Sequence, residues 1–332
     1  MMDRPQPQRA CRVCRNPLCF VPCIVIFLTV GSLLVYTLIG VQQCFDPVDG
    51  LETKPCSEVA EYLHNVSKSS EGKHTERIFV HQHNIALNLS NLVYFSRVKW
   101  EQSFNYMFHN KSMCRGLIAE YYPQILELYD SYPDDIQRAD VSRVAILHHY
   151  GGIYSDLDAF PKKACKELAN VYADTLTSAY FPTGNGDVFV NHFFITNKNN
   201  SFLGYLLESF ELFSNRWKWI PLPYLRVFLT TGPCAVTMAL RNWEQMWKSK
   251  GVTPAPSVMR MKGSECLVRH EAGRQWLSID GIFFNWIGDN AAFFVYSLVS
   301  FSVIVVVVLL FVRIKRRFRP PPVVVIEHVE DP

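Results

Sequence analysis

Two uncharged apolar runs bracket this chain and constrain what the rest of it can be. Phe20–Val41 and Ala291–Val312 are each 22 residues long and contain no Lys, Arg, Asp or Glu. A helix of roughly 20 residues crosses the ~30 Å of bilayer hydrocarbon, so both runs predict membrane spans. The first exceeds the ~7–15 apolar residues of a cleaved signal peptide and has no clean small-x-small site after it, which predicts an uncleaved anchor. Arg4, Arg9, Arg12 and Arg15 precede the first run, and Arg313, Lys315, Arg316, Arg317 and Arg319 follow the second. Basic flanks stay on the cytosolic side, so both termini are expected in the cytosol and residues 42–290 in a lumen. The acceptor triplets at Asn65, Asn88, Asn110 and Asn199 all fall in that middle segment, as glycosylation there requires.

Cysteine placement divides the same way. Cys11, Cys14, Cys19 and Cys23 lie in or beside the first run, where palmitoylation suits them better than zinc, since no second Cys pair follows. Cys44, Cys56, Cys114, Cys165, Cys234 and Cys266 form an even lumenal set that can pair in 15 ways. Hydrophobic residues make up 49% of the chain and charged residues 19%, which excludes a disordered or collagen-like polymer. Without the two tails the middle carries a net charge of −2, so nucleic acid, which demands a basic surface, is excluded as a partner.

The pattern predicts a cytosolic tail (1–19), a span (20–41), a polar stem (42–76), a catalytic domain (77–290), a second span (291–312) and a second tail (313–332). Arg77–His81 and Phe104–Asn110 predict strands, and Ala119–Leu128 and Ile136–Tyr150 helices; in the second, Ile136, Ala139, Val144 and Leu147 recur at helical spacing. Gly151-Gly152 stops that helix, and Ile153–Leu157 predicts a strand running into Asp158. Asp187–Thr196 predicts a strand, Phe202–Phe213 a helix, and Gly232-Pro233 the opening of a helix through Lys248. Strands alternating with helices predict an α/β domain.

The most informative stretch is Tyr150-Gly-Gly-Ile-Tyr-Ser-Asp156-Leu-Asp158. Residues two apart on a strand share a face, so the two carboxylates converge, and like charges so close call for a cation between them. Oxygen ligands suit Mg²⁺ or Mn²⁺, which can neutralise a leaving diphosphate.

Together with Arg138-Ala-Asp140-x-x-Arg143, this stretch resembles the sugar-binding region of glycosyltransferase family 32. Tyr129-Asp-Ser-Tyr132 and Thr230-Thr-Gly-Pro233 are most similar to its inositol-phosphoceramide mannosyltransferase branch. The resemblance spans 77–285 and is densest over 129–158. It implies a GT-A-like nucleotide-sugar-binding domain, flanked here by two transmembrane helices, in the Golgi or ER membrane. It implies a retaining, metal-dependent transfer of mannose, galactose or N-acetylglucosamine from a nucleotide-sugar donor to a glycolipid or glycan acceptor, including mannosylation of inositol-phosphoceramide. Asp156 and Asp158 would bind Mn²⁺ or Mg²⁺, with His270 as a third ligand. Asp140 and Arg143 would grip the donor's sugar and phosphates, and His81, Gln82, Gly151, Gly152 and Asn191 would line the donor site. The sequence departs from the family pattern at Glu76-Arg77, where Pro-Lys is usual, and in Gly273-Arg-Gln-Trp276, where Gly-Ser-Trp is usual.

The readings of these residues compete. Asp140 and Arg143 also fit an exposed i,i+3 ion pair worth ~0.2–0.5 kcal/mol. Asn191 fits a strand-end polar residue, and Thr231-Gly232-Pro233 an ordinary helix cap. Asp187 and Asp280 are further carboxylates that could steady a developing positive charge. A dehalogenase-type phosphatase also uses Asp-x-Asp, but wants Thr or Val where Phe160 stands. A catalytically inactive membrane scaffold is the alternative outside enzymes, and the intact Asp140, Arg143, Asp156 and Asp158 speak against it.

Overall fold

A computed structural model describes residues 21–45, 53–69, 79–85, 90–170, 176, 178–184, 188–252 and 257–271, with a few residues beyond 279. Two compact units divide the chain, Met1–Trp276 and Leu277–Pro332; every element below belongs to the first. In order these are α1 (Val21–Phe45), β1 (Thr53–Pro55), α2 (Cys56–Ser69), β2 (Phe79–Asn84), α3 (Ser90–Glu101), β3 (Asn105–Asn110), α4 (Lys111–Tyr121), α5 (Leu126–Ser131), α6 (Asp135–Tyr150), β4 (Gly152–Ser155) and β5 (Ala159–Pro161). They continue with α7 (Lys163–Lys166), β6 (Ala179–Thr183), β7 (Phe193–Thr196), α8 (Ser201–Trp217), α9 (Pro223–Thr230), α10 (Pro233–Ser249), β8 (Val258–Lys262) and β9 (Val268–His270).

Seven strands form one mixed sheet in the order β1-β8-β6-β7-β4-β2-β3. Only β7 runs against its neighbours; the β1–β8, β2–β3, β2–β4 and β6–β8 pairs are parallel. The α/β expectation holds. Alternation along the strands gives each face its own core. Val80, Ile153, Phe193, Ile195, Tyr180 and Met261 cluster with Trp100, Val59, Leu63 and Leu168. On the opposite face Tyr154 packs at a tilt on Phe194, Phe194 stacks on Phe181, and Phe181 meets Phe202 of α8 edge-on.

β4 sits inside this sheet with all four residues buried. It is preceded by α6, whose start is fixed by Asp134 and by Gln137, which reaches back to accept from the Asp134 amide. Two glycines make the reversal between them. Gly151 and Gly152 have φ of 70° and 96°, and a Cβ on Gly152 would lie 2.5 Å from the Phe79 carbonyl oxygen on β2. Their demand is for backbone freedom and for space.

Several expectations are corrected. Residues 53–69 are no stem: β1 is the edge strand beside β8, α2 buries Val59 and Leu63, and Cys56 is bonded to Cys266. The helix expected over 119–128 is two helices, because Pro123 has no N–H to continue α4 and disfavours a helical Tyr122. The strand expected from 187 is regular only over β7, since the chain before it bends Asn191 towards α6 instead of extending the ladder. Of the six cysteines that could pair, four do, as Cys44–Cys234 and Cys56–Cys266, while Cys114 and Cys165 stay reduced and buried.

The first apolar run is helical over Val21–Phe45, though many of its side chains are outside the description. Among the described residues no helix is long and apolar enough to cross a membrane. The tails, most of 291–312, Asn88, Asp187, Gly273 and Trp276 lie outside the described residues. Asn65, Asn110 and Asn199 are exposed, as a glycan requires.

Candidate active site

The Asp-x-Asp pair begins one residue past β4, at the carboxyl end of a central parallel strand. This is where open α/β sheets place their ligands. The backbone at Asp156 is pinned from two sides: its N–H donates to the His192 carbonyl (2.8 Å), and its own carbonyl accepts from Gln82 Nε2 (3.0 Å). Gln82 in turn accepts from Tyr106 Oη (2.9 Å). Gln82 therefore braces the motif from β2.

Arg143 is the centre of the charged cluster. It lies 3.3 Å from Asp140 and 3.3 Å from Asp156, and its side chain and that of Asp140 are each 5% exposed. That burial removes the exposed ion-pair reading. Arg143 Nη1 also donates to the Asn191 carbonyl, and the guanidinium lies 5.0 Å from the Tyr154 ring centroid. Its Nε is buried with no hydrogen-bond partner, leaving one donor of the fork unused. Asp140 accepts from Asn191 Nδ2 (2.8 Å) and Thr231 Oγ1 (3.0 Å). Burial, opposed by Arg143, pushes Asp140 up to about 6. The Arg143 guanidinium stays charged: the carboxylates and Tyr154 around it outweigh its burial.

Asp156 accepts from Tyr154 Oη at 2.7 Å. Burial lifts its pKa above the ordinary carboxylate value, Arg143 opposes that, and the neighbouring Asp158 adds to it. Asp158 lies 3.3 Å from His270 Nε2, because β5 and β9 pair antiparallel with Ala159 opposite His270. The hydrogen bond to Asp158 raises the His270 pKa. His192 stacks on His270 with centroids 4.2 Å apart and planes 3° from parallel. Burial, then the charge of His270, holds His192 down at about 3.

Sequence reasoning thus named Asp140, Arg143, Asp156, Asp158, Asn191 and His270, and the structure brings these six together. His81 lies elsewhere: it bonds His109 (3.1 Å), stacks on Tyr150, and burial holds it near 3. Tyr154, His192 and His83, whose Nε2 lies 3.2 Å from Tyr154 Oη, were missed as members of the cluster, and Thr231, singled out in Thr230-Thr-Gly-Pro233, was not linked to Asp140. Tyr154 was legible, since it shares the strand face of Asp156. His192 and Thr231 reach the site from other elements, which spacing along the chain does not encode.

Among the described residues no group of three or more His, Cys, Asp or Glu is arranged to hold a metal ion. Asp158 and His270 alone offer one oxygen and one nitrogen side by side, beside the carboxylate of Asp156. That donor set fits Mg²⁺ or Mn²⁺, which take their remaining ligands from water and phosphate.

Residues 81–176 match the family described as glycosyltransferase sugar-binding region containing DXD motif. The chain is 25% identical over 219 residues to inositol phosphoceramide mannosyltransferase 1 of Schizosaccharomyces pombe, covering 66% of this chain and 65% of that protein. Inositol phosphoceramide mannosyltransferase 2 of the same yeast is 30% identical over 152 residues, 46% of this chain and 41% of the relative. The chain therefore spans less than two thirds of either relative. Among solved structures, PaToxG glycosyltransferase aligns with 59% of this chain and 80% of its own, at 16% identity and a TM-score of 0.38.

Proposed function

We propose that this chain is a retaining hexosyltransferase that moves a sugar, mannose first among candidates, from a nucleotide sugar to a hydroxyl of an inositol-phosphoceramide or related glycolipid. The observation that carries the reading is Asp156 and Asp158 at the carboxyl end of buried β4, with Arg143 held 3.3 Å from Asp156. The names of the two yeast relatives support the donor and acceptor classes.

Asp158 and His270 would hold Mn²⁺ or Mg²⁺, with Asp156 contacting it by its remaining oxygen or through water. Such an ion neutralises the diphosphate and makes it a better leaving group. Arg143 supplies a second, fixed positive charge, already oriented by Asp140, Asn191 and Asp156, so no reorganisation is needed as charge develops. Gln82 and the His192 carbonyl keep Asp156 in register. Front-face displacement, in which the leaving diphosphate assists the incoming hydroxyl, belongs to the same proposal; Asp140, with both oxygens accepting from Asn191 and Thr231, serves to hold Arg143.

A secretory-pathway membrane location, with cytosolic termini and a lumenal catalytic segment, belongs to the same proposal. Its support is the pair of apolar runs with basic flanks and the two disulfides, which suit an oxidising lumen. The test is a panel of nucleotide sugars offered with Mn²⁺ and inositol-phosphoceramide to the detergent-solubilised full chain. We expect metal-dependent transfer from a single preferred donor, lost in Asp158→Asn. Activity that survives both EDTA and Asp158→Asn would reject the metal assignment, and no turnover of any donor would favour the scaffold.

A further inference from the structure

A cavity of about 450 Å³ opens among α5, the start of α6, α8 and α9, lined by residues the donor site does not use. Its size falls within the range of small-molecule sites. Its buried wall carries hydroxyls and an amide: Tyr132 and Ser214, 3.1 Å apart, and Gln137, which donates to Thr230 Oγ1 at 2.7 Å. Its exposed wall adds Gln124, Asn215 and two carboxylates, Glu127 and Glu211.

Charge decides the ligand class. The cations on the wall are Lys218 and Arg226, but Arg226 is held by Asp134 through both Nε and Nη2 at 3.0 and 2.8 Å. Glu127 and Glu211 then outnumber Lys218, so the cavity does not favour an anion seated inside it. An ionised carboxylate only accepts hydrogen bonds, and two of them beside hydroxyls and amides suit a neutral ring bearing many hydroxyl donors.

Two further observations say where such a ring comes from. The cavity wall borders the donor-site elements: Gln137 donates to Thr230, both on the wall, and the next residue, Thr231, donates to Asp140. Its α8 wall leads into an apolar surface: Trp219 and Leu222 are exposed just past Lys218, and Trp217 packs against Tyr36 of α1 with ring centroids 5.1 Å apart. α1 shows exposed Leu33, Leu38 and Ile39 beside that contact. Tryptophan next to an apolar helix is the composition of a membrane–water interface.

We propose that this cavity binds the hydroxyl-rich headgroup ring of a membrane lipid, with its tails towards α1 and the Trp219–Leu222 surface. That the bound lipid is the sugar acceptor rests on the transferase reading; the binding itself does not. The test titrates the full chain in mild detergent with short-chain phosphatidylinositol, free myo-inositol and short-chain phosphatidylcholine. Saturable binding of phosphatidylinositol, weaker binding of inositol and none of phosphatidylcholine are expected. The exposed-wall double variant Glu127→Gln/Glu211→Gln should weaken phosphatidylinositol roughly tenfold or more, by loss of charge-assisted hydrogen bonds. Asn215→Trp, which fills the cavity from an exposed position, should do the same, with thermal melts confirming that both variants fold. No binding by the natural chain, equal binding by the folded variants, or equal affinity for phosphatidylcholine would each overturn the proposal. Free inositol binding as tightly as the lipid would overturn its lipid part. Because no donor, metal or turnover enters the titration, a chain that binds the lipid but transfers no sugar sinks the transferase reading and leaves this site standing.

Discussion

Arg143 is buried between two carboxylates, and that changes what its removal does. Arg143→Ala deletes the charge that compensates Asp140 and Asp156, and breaking a buried pair costs about 3–5 kcal/mol. We expect a lowered melting temperature together with lost nucleotide-sugar affinity. Asp140→Asn should cost less stability, because burial already lifts Asp140 to about 6 and the amide keeps an acceptor for Asn191 or Thr231. Thermal melts of both variants check the order; equal losses would contradict it. His270 sets a pH dependence. Its pKa is raised above 6.5 by Asp158, and only the neutral imidazole binds a metal, so protons compete with the ion as pH falls. Mn²⁺ affinity should therefore rise with pH through and above 6.5 and plateau once His270 is neutral. His270→Gln should flatten that rise. Manganese titrations at pH 6, 7 and 8 read it directly, and an unchanged slope in the variant would remove His270 from the ligand set.

At the level of elements, the Gly151-Gly152 reversal holds the site in register, and two glycine substitutions should separate. Gly152→Ala places a Cβ 2.5 Å from the Phe79 carbonyl oxygen at φ 96°, so β4 must shift from β2 and carry Asp156 with it. Gly116 on α4 has open space around a built Cβ, so Gly116→Ala should stabilise the chain by about 0.5–1 kcal/mol and leave donor binding alone. Denaturant titrations decide whether the two move oppositely as expected. This contrast also marks how far the sequence was legible. α6, β4 and the carboxylate pair could be read because helical spacing, a glycine stop and strand alternation are local signals. β1 and α2 were misread as stem because their composition is polar: one apolar face, Val59 and Leu63 with Cys56, suffices to dock α2, and an edge strand of three residues leaves no periodicity. The contact of Thr231 with Asp140 was illegible for another reason, since it joins residues 91 apart in sequence.

For the whole molecule, the two disulfides overlap along the chain: Cys44–Cys234 opens before Cys56–Cys266 and closes inside it. The first ties the end of α1 to the first turn of α10, three residues after the Thr231 that holds Asp140. The second ties α2 to the segment between β8 and β9. Long closed loops remove the most freedom from the unfolded chain, about 3–5 kcal/mol for each on the entropic account, though two overlapping loops share part of that gain. Reduction should therefore lower the melting temperature and loosen β1 and α2 with it. The unpaired cysteines give the sharper check. Burial raises the Cys114 thiol to about 11 and pushes the Cys165 thiol up as well, so neither supplies thiolate near neutral pH. Alkylation followed by peptide mass spectrometry should mark neither residue in the folded, oxidised chain. Denaturant alone should expose Cys114 and Cys165, and reductant with denaturant should add Cys44, Cys56, Cys234 and Cys266. A peptide linking Cys114 to Cys165, or early labelling of Cys44 or Cys56, would mean that the chain closes differently. In that case β1 would lose its covalent hold on the sheet, and α1 its covalent tie to the first turn of α10.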